Sequence, residues 1–148
     1  MEIAEGIREL LSRMSIQLDP DEYTIASIDL DEEVKARKIL TDLGLFSSVT
    51  YDYKEISVIA KSTEWAKVKT SFTSIEEAGP YRLITFNIVL DLAIVGFIAE
   101  ISQKLADEGI SIYALSTYLR DHILVKSEDA EKAVACLEGM ILDAEDTE

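Results

Sequence analysis

The sequence predicts an α+β fold in which helices cover antiparallel sheets, and three observations on its second half support this class. Residues 81–90 alternate with the period of a strand that has one buried face. Residues 94–105 change to the apolar spacing of a helix, and Gly109 follows where a left-handed cap is expected. Residues 110–126 return to strand spacing on both sides of a short turn, so they are expected to form a hairpin.

The first half repeats this order of elements, although the two halves share little sequence. Its predicted elements are, in order, a helix over 1–13, a strand over 23–30, a helix from Asp31 whose apolar side includes Val34, a hairpin over 45–61, and a short helix with Trp65 as a core residue. Residues 19–22 and 76–80 are rich in Asp, Glu, Gly and Pro, which predicts turns at both places.

One strand is missing from the second half. A βαββαβ unit ends on a strand, but the last predicted helix begins after Lys126 and only an acidic stretch follows it. Residues 15–18 and 71–75 of the first half are the candidates to supply that strand; otherwise an open sheet edge is left for a partner chain. We therefore expect two interlocked halves.

Composition and charge exclude several classes of protein. The formal net charge of -15 opposes contact with phosphate backbones, so we expect no nucleic-acid partner. No apolar run approaches the roughly 20 residues of a transmembrane helix. The N-terminal residues are acidic and lack the layout of a signal peptide, so we expect a cytoplasmic protein with no membrane partner.

The residue types offer little for catalysis or metal binding. His122, the only histidine, falls on a predicted strand, which favours a structural role. The single cysteine, Cys136, is interpreted as a packed thiol. The acidic residues 19–22 are interpreted as a solvated turn, and no Cys/His cluster has metal-ligand spacing. The sequence therefore predicts no catalytic residue, no metal and no cofactor.

The segment that leads into the second-half helix is one side of a candidate binding site. Residues 90–96 end at the predicted N-terminus of that helix, where free N–H groups and the helix dipole attract a carboxylate. Gly96 has no side chain and lets a ligand come close. Because residues 92–95 include no cationic side chain, backbone N–H groups would have to bind the anion.

The end of the following hairpin forms the other side. Ser116, Thr117 and Tyr118 end one strand, and the carboxylate of Asp121 at the start of the next is suited to an ammonium group. Together the two sides would recognise both charged groups of an amino acid. A structural interpretation stays open, in which Gly96 permits close packing, the two hydroxyls satisfy local backbone groups and Asp121 stabilises the turn.

The segment GISIYALSTYLRDHILVK, residues 109–126, resembles the signature of the tandem ACT-domain family related to CASTOR-type arginine sensors and to aspartokinase regulatory domains. LDLAIVG at 90–96 and TYDYKEISVIA at 50–60 resemble two further segments of that family. The resemblance covers roughly residues 22–137. The sequence departs from the family pattern at Val95, Arg120 and His122.

The resemblance implies two interlocked ferredoxin-like ACT halves and a non-catalytic regulatory or sensor protein that binds an amino acid between paired domains. Carried over by position, the ligand contacts are Asp91, Leu92, Ile94, Val95, Gly96, Ser116, Thr117, Tyr118 and Asp121, with Ser57 and Val58 from the first half. Together with the open sheet edge, it also leads us to expect a homodimer. A regulated protein target is a further expected partner.

The domain boundaries expected from these patterns are a degenerate ACT-like half at 1–78, an ACT domain at 79–142 and an acidic flexible tail at 143–148. Two other functions stay open. One is a structural or protein-interaction module that has lost the ligand. The other is a small phosphate hydrolase on the same fold, which would need a positioned Arg and Asn; Asn87 is the only asparagine.

Overall fold

The computed structural model describes residues 5–88 and 96–145, and these confirm the predicted α+β class. The helices are α1 (Glu5–Ser12), α2 (Glu33–Ile39), α3 (Ser62–Val68), α4 (Phe97–Asp107) and α5 (Ala130–Glu145). The strands are β1 (Ser15–Asp29), β2 (Ser48–Tyr51), β3 (Glu55–Lys61), β4 (Ile75–Asn87), β5 (Ile112–Ser116) and β6 (Asp121–Lys126). Their order in the sheet is β2-β3-β1-β4-β6-β5. Within the described ranges, no helix is both long and apolar enough to cross a membrane.

Two long strands, β1 and β4, each contribute to two packing units. Unit one is Met1–Pro20 with Arg82–Glu148, and unit two is Asp21–Tyr81. The first part of β1 therefore supplies the strand that the second half lacks, and the first part of β4 belongs to unit two. This confirms the predicted interlocking and residues 15–18 as the donated strand. The boundaries 1–78, 79–142 and 143–148 stay predictions, although α5 continues to Glu145.

The two turns predicted at residues 19–22 and 76–80 are wrong, because both segments lie inside strands. Side-chain and backbone contacts explain how these two segments are held in an extended conformation although their composition is typical of turns. Nε and Nη2 of Arg82 both donate to the carbonyl oxygen of Asp19, at 3.0 and 2.7 Å. Gly79 has φ +141°, and a Cβ there would lie 3.2 Å from the carbonyl oxygen of Tyr23. Long-range strand pairing thus overrides the local turn preference.

The core of unit one lies between its strands and α1, α4 and α5. Phe97, Ile101 and Leu105 repeat every four residues along α4, so they share one buried face. Phe97 meets Phe86 of β4 edge to face, with ring centroids 5.3 Å apart. The predicted cap at the end of α4 is confirmed, since Gly109 has φ +75° and the N–H of Ile110 donates to Leu105 at 2.9 Å.

Unit two has its own core around Trp65, which is 2% exposed. The indole stacks on Phe72 with ring centroids 6.4 Å apart, and Nε1–H donates to Glu77 at 2.8 Å. The interpretation of Trp65 as a core residue is therefore confirmed. The predicted apolar side of α2 is wrong at Val34, which is 70% exposed; Ala36, two positions further on, is the residue of this helix that is buried in the core.

The predicted hairpins are confirmed at both places. β2 pairs antiparallel with β3, from Ser48 opposite Ile59 to Tyr51 opposite Ile56. β5 pairs antiparallel with β6, and Ser116 lies opposite Asp121 at the end of the ladder. The β5–β6 hairpin therefore places the polar residues of the candidate site at one end of unit one.

We expect residues 79–148 alone not to fold cooperatively, because that fragment lacks α1 and the donated part of β1. Leu10 and Leu11 of α1 are buried in the core of unit one, and their loss would expose apolar surface on α4 and α5. Thermal unfolding followed by circular dichroism should show no sharp transition.

The matched control is the same fragment with residues 5–20 joined to its C-terminus through a flexible linker. This variant restores α1 and the missing strand, so it should unfold in one sharp transition. A sharp transition in the fragment without residues 5–20 would contradict the interlocked architecture.

Candidate functional site

The described part of the candidate site consists of Gly96 at the start of α4 and the β5–β6 turn. Both belong to unit one. Four predicted ligand contacts, Asp91, Leu92, Ile94 and Val95, lie outside the described residues. The other predicted contacts lie within the described residues.

Gly96 is the N-cap of α4 and adopts a left-handed conformation with φ +93°. Its carbonyl oxygen accepts the first helical hydrogen bond, from the N–H of Glu100 at 3.0 Å. No side chain of the cap residue bonds the first turn, so the helix N-terminus has the backbone donors that an anion site requires. A Cβ on Gly96 would meet no described atom within 4 Å, so glycine is required here by its backbone conformation.

The hydroxyls and the carboxylate of the β5–β6 turn hydrogen-bond within the turn. Ser116 Oγ donates to Asp121 Oδ1 at 2.5 Å. The N–H and hydroxyl of Thr117 both donate to the carbonyl oxygen of Arg120, at 2.9 and 3.2 Å. These bonds fit the structural interpretation of the turn. They also fix the orientation of the Asp121 carboxylate, which has lone pairs for more than one donor.

Tyr118 and Leu119 form the apolar tip of the same turn. Tyr118 is 81% exposed and Leu119 is 50% exposed. The ring of Tyr118 therefore lies in solvent, away from the hydrogen bonds that its neighbours make within the turn. An exposed aromatic ring at a hairpin tip is available to a ligand or to another protein surface.

The two contacts predicted from the first half lie on β3 in unit two. Ser57 is partly buried and stands opposite Ser27 of β1 and Thr50 of β2. Val58 is 1% exposed and belongs to the core of that unit. Its side chain is occupied by packing, which leaves only its backbone for ligand contact.

His122 connects the turn to β4, a link that the sequence analysis missed. Its Nδ1 lies 2.9 Å from Thr85 Oγ1 and its Nε2 lies 3.1 Å from Thr117 Oγ1. The side chain is 6% exposed. Burial lowers the pKa of His122 below its ordinary 6.5; Asp121 acts against this shift and Arg120 adds to it. The neutral ring therefore holds the turn to the strand through one donated and one accepted hydrogen bond.

The other reactive side chain considered from the sequence, Cys136, is a packed thiol as interpreted. It lies against the core of unit one, and its Sγ is 3.9 Å from the carbonyl oxygen of Lys104. Burial raises the pKa of the thiol, so the nucleophilic thiolate is disfavoured. In the parts of the chain that the structure describes, no group of three or more His, Cys, Asp or Glu residues is placed to hold a metal.

The arrangement defines a class: a ferredoxin-like α+β module with a helix N-terminus and a polar hairpin end in one unit. The sequence profile of the ACT domain family matches residues 78–139, so this part of the chain is similar to an ACT domain. The match includes β5, β6 and most of β4, and it confirms the resemblance to ACT domains. No curated protein matches the sequence.

Solved structures share the fold at low sequence identity. A Vibrio cholerae protein of unknown function, described as a possible transport protein, is 20% identical with a TM-score of 0.72; the match covers 93% of this chain and 97% of that one. An Agrobacterium tumefaciens protein is 24% identical with a TM-score of 0.68, covering 87% and 90%. The ligand-free regulatory subunit of aspartate kinase from Thermus thermophilus is 15% identical with a TM-score of 0.62, covering 85% and 97%.

We expect the stability conferred by His122 to depend on pH. Because its folded pKa is lowered, the unfolded chain binds the proton more readily, and stability is present above 6.5 and lost as pH falls through the folded pKa. In His122→Gln, the amide keeps a donor and an acceptor but does not titrate. As pH falls below 6.5, the Tm of wild type should fall more steeply than that of His122→Gln.

Both proteins contain the same carboxylates, so the contribution of these groups to the pH dependence of Tm cancels when the two profiles are compared. Tm would be measured by circular dichroism across the same buffers. Parallel pH profiles of wild type and His122→Gln would contradict the burial of a neutral ring between Thr85 and Thr117.

Proposed function

We propose that the chain is a cytoplasmic, non-catalytic regulatory module that binds a free amino acid and transmits this binding to a protein target. The observation that carries the proposal is the ACT domain match at residues 78–139, which contains both described sides of the candidate site. The fold shared with the regulatory subunit of an aspartate kinase supports a regulatory role.

The proposed chemistry uses opposite charges at the two sides. The α-carboxylate of the ligand accepts hydrogen bonds from backbone N–H groups at the start of α4, where Gly96 keeps the cap free of a side chain. The ligand ammonium donates to Asp121, whose carboxylate is held by Ser116. Charge-assisted hydrogen bonds of this kind contribute roughly 1.5–3 kcal/mol each.

Four further contacts complete the proposed site by family position. Asp91, Leu92, Ile94 and Val95 precede the Gly96 cap in the sequence. In this proposal, the residues around the cap contact the ligand through their backbone. Thr117 and Tyr118 lie beside Asp121 in the hairpin turn and would contact the part of the ligand that distinguishes one amino acid from another.

A second candidate function is a ligand-free interaction module on the same fold. It is favoured by one observation: the polar groups of Ser116, Thr117 and Asp121 already bond within the turn without a ligand. In this case the turn is structural, and the exposed Tyr118 and Leu119 at its tip contact a protein.

A homodimer is part of the proposal. β5 is the last strand in the sheet order, and it carries the half-exposed Tyr113 without any charged residue. An uncharged edge strand can pair with a second copy.

Sedimentation should give a dimer for wild type and a shift toward monomer for Tyr113→Lys, because a charge on the edge strand opposes pairing. Tyr53→Lys, at a 96% exposed tyrosine elsewhere, should stay dimeric. A wild-type monomer at high concentration would contradict the dimer.

We expect Asp121→Asn to weaken amino-acid binding by about tenfold to a hundredfold, because the neutral amide loses the charge that attracts the ammonium. The ligand would be the amino acid that most raises Tm in a thermal-shift screen, since binding to the native state stabilises it. Isothermal titration calorimetry would then compare wild type with the variant.

Asp107→Asn is the matched control, because it removes the same charge from an exposed position on α4, where Asp107 bonds Gln103. Its affinity should equal that of wild type. Equal affinity of Asp121→Asn and wild type would contradict the site. A screen in which no amino acid raises Tm would favour the ligand-free interaction module.

A further inference from the structure

A second surface of unit one combines an open groove with an acidic rim. The groove has a volume of about 340 Å³ and lies between the end of α1, the start of β1 and the last half of α5. Its lining residues are Met14, Ser15, Ile16, Glu138, Ile141, Leu142 and Glu145. We propose that this groove docks a basic amphipathic helix of a partner protein. The inference does not depend on amino-acid binding.

The floor of the groove is apolar. Met14, Ile16 and Ile141 belong to or pack against the core of unit one, so they hold the floor in place. Leu142 is 57% exposed, and it is among the most exposed large apolar side chains that the structure describes. Covering this side chain with apolar groups of a partner would stabilise the complex through the hydrophobic effect.

Helix α5 has a buried apolar face and a second face of mixed character. Leu137, Met140 and Ala144 are buried on the face that packs against its own unit. Residues 138, 141, 142 and 145 follow the spacing i, i+3, i+4, i+7, so they share another face, which lines the groove. Ile141 on this face packs partly against the core of unit one, whereas Leu142 beside it is exposed and available to a partner.

The rim of the groove is acidic. Glu138 and Glu145 line it, and no lysine or arginine does. Cations normally compensate the negative end of a helix dipole, but α5 has no basic residue in its last turn. A cationic partner would complement the two carboxylates of the rim and the negative end of the helix dipole.

The spacing of the carboxylates defines the partner. Glu145 follows Glu138 by seven positions along the helix, a rise of about 10.5 Å. A partner helix with lysine or arginine at i and i+7 and with leucine at i+3 and i+4 presents the same spacing with opposite charge. A second copy of this chain fits poorly, because a symmetric contact would bring the same carboxylates together.

The probe is a synthetic helical peptide with that Lys and Leu pattern, labelled for fluorescence anisotropy. A peptide of the same composition in scrambled order is its control for non-specific attraction to a chain of net charge -15. The patterned peptide should bind wild type at least about tenfold more tightly than the scrambled one. Its affinity should fall with added salt.

Two variants of the protein test the groove itself. Leu142→Ser removes the exposed apolar contact and should weaken binding by about tenfold. The double variant Glu138→Gln with Glu145→Gln should weaken binding and flatten its salt dependence. The matched controls are Leu45→Ser, at an 85% exposed leucine of unit two, and Glu128→Gln with Glu131→Gln, at exposed positions near the start of α5. Both controls should bind as wild type does.

Circular dichroism of every variant would confirm that the fold is retained. Equal binding of the patterned and scrambled peptides would overturn the proposal, as would no binding of either. Unchanged affinity in Leu142→Ser and in the double variant would also overturn it. A wild-type dimer that Leu142→Ser converts to monomer would assign the groove to a second copy instead.

Discussion

The fold depends on two long strands, β1 and β4, that each serve both packing units. Because residues 15–20 complete the strands of unit one, the order of elements along the chain is not the order in which they pack. Arg82 supports this arrangement by donating twice to the carbonyl oxygen of Asp19, next to Pro20, which has no N–H for a ladder hydrogen bond. The segment 78–139 that matches the ACT domain family therefore needs a strand from outside its own sequence range.

Local chemistry explains which parts of the fold the sequence predicts. Gly96 and Gly109 begin and end α4 where apolar periodicity and capping rules place them, and both have positive φ. Trp65 is buried, as expected for a single large apolar residue on a short helix. The segments 19–22 and 76–80 resemble turns by composition alone. They form strands because pairing between distant parts of the chain, which composition does not encode, decides their conformation.

The candidate site is likewise predictable from the sequence only where its contacts are local. The pattern places Ser116 and Asp121 at the end of one hairpin, where they do bond, since their register follows from the short turn. The link from Thr85 through His122 to Thr117 joins residues 37 apart in sequence and required the folded chain. A neutral, buried histidine fixes the turn beside Asp121, so the position of the proposed ammonium ligand depends on β4 as well as on the hairpin.

Amino-acid binding at the start of α4 and the β5–β6 turn is the central functional claim, and mapping of amide chemical shifts by NMR tests it most directly. Addition of the amino acid selected by thermal shift should move the amide signals of Gly96, Phe97 and Thr117 most, because their N–H groups lie at the two proposed sides of the site. Signals along the groove face of α5 should not move. Shifts confined to α5 or to unit two, with Gly96 and Thr117 unchanged, would contradict the proposed site.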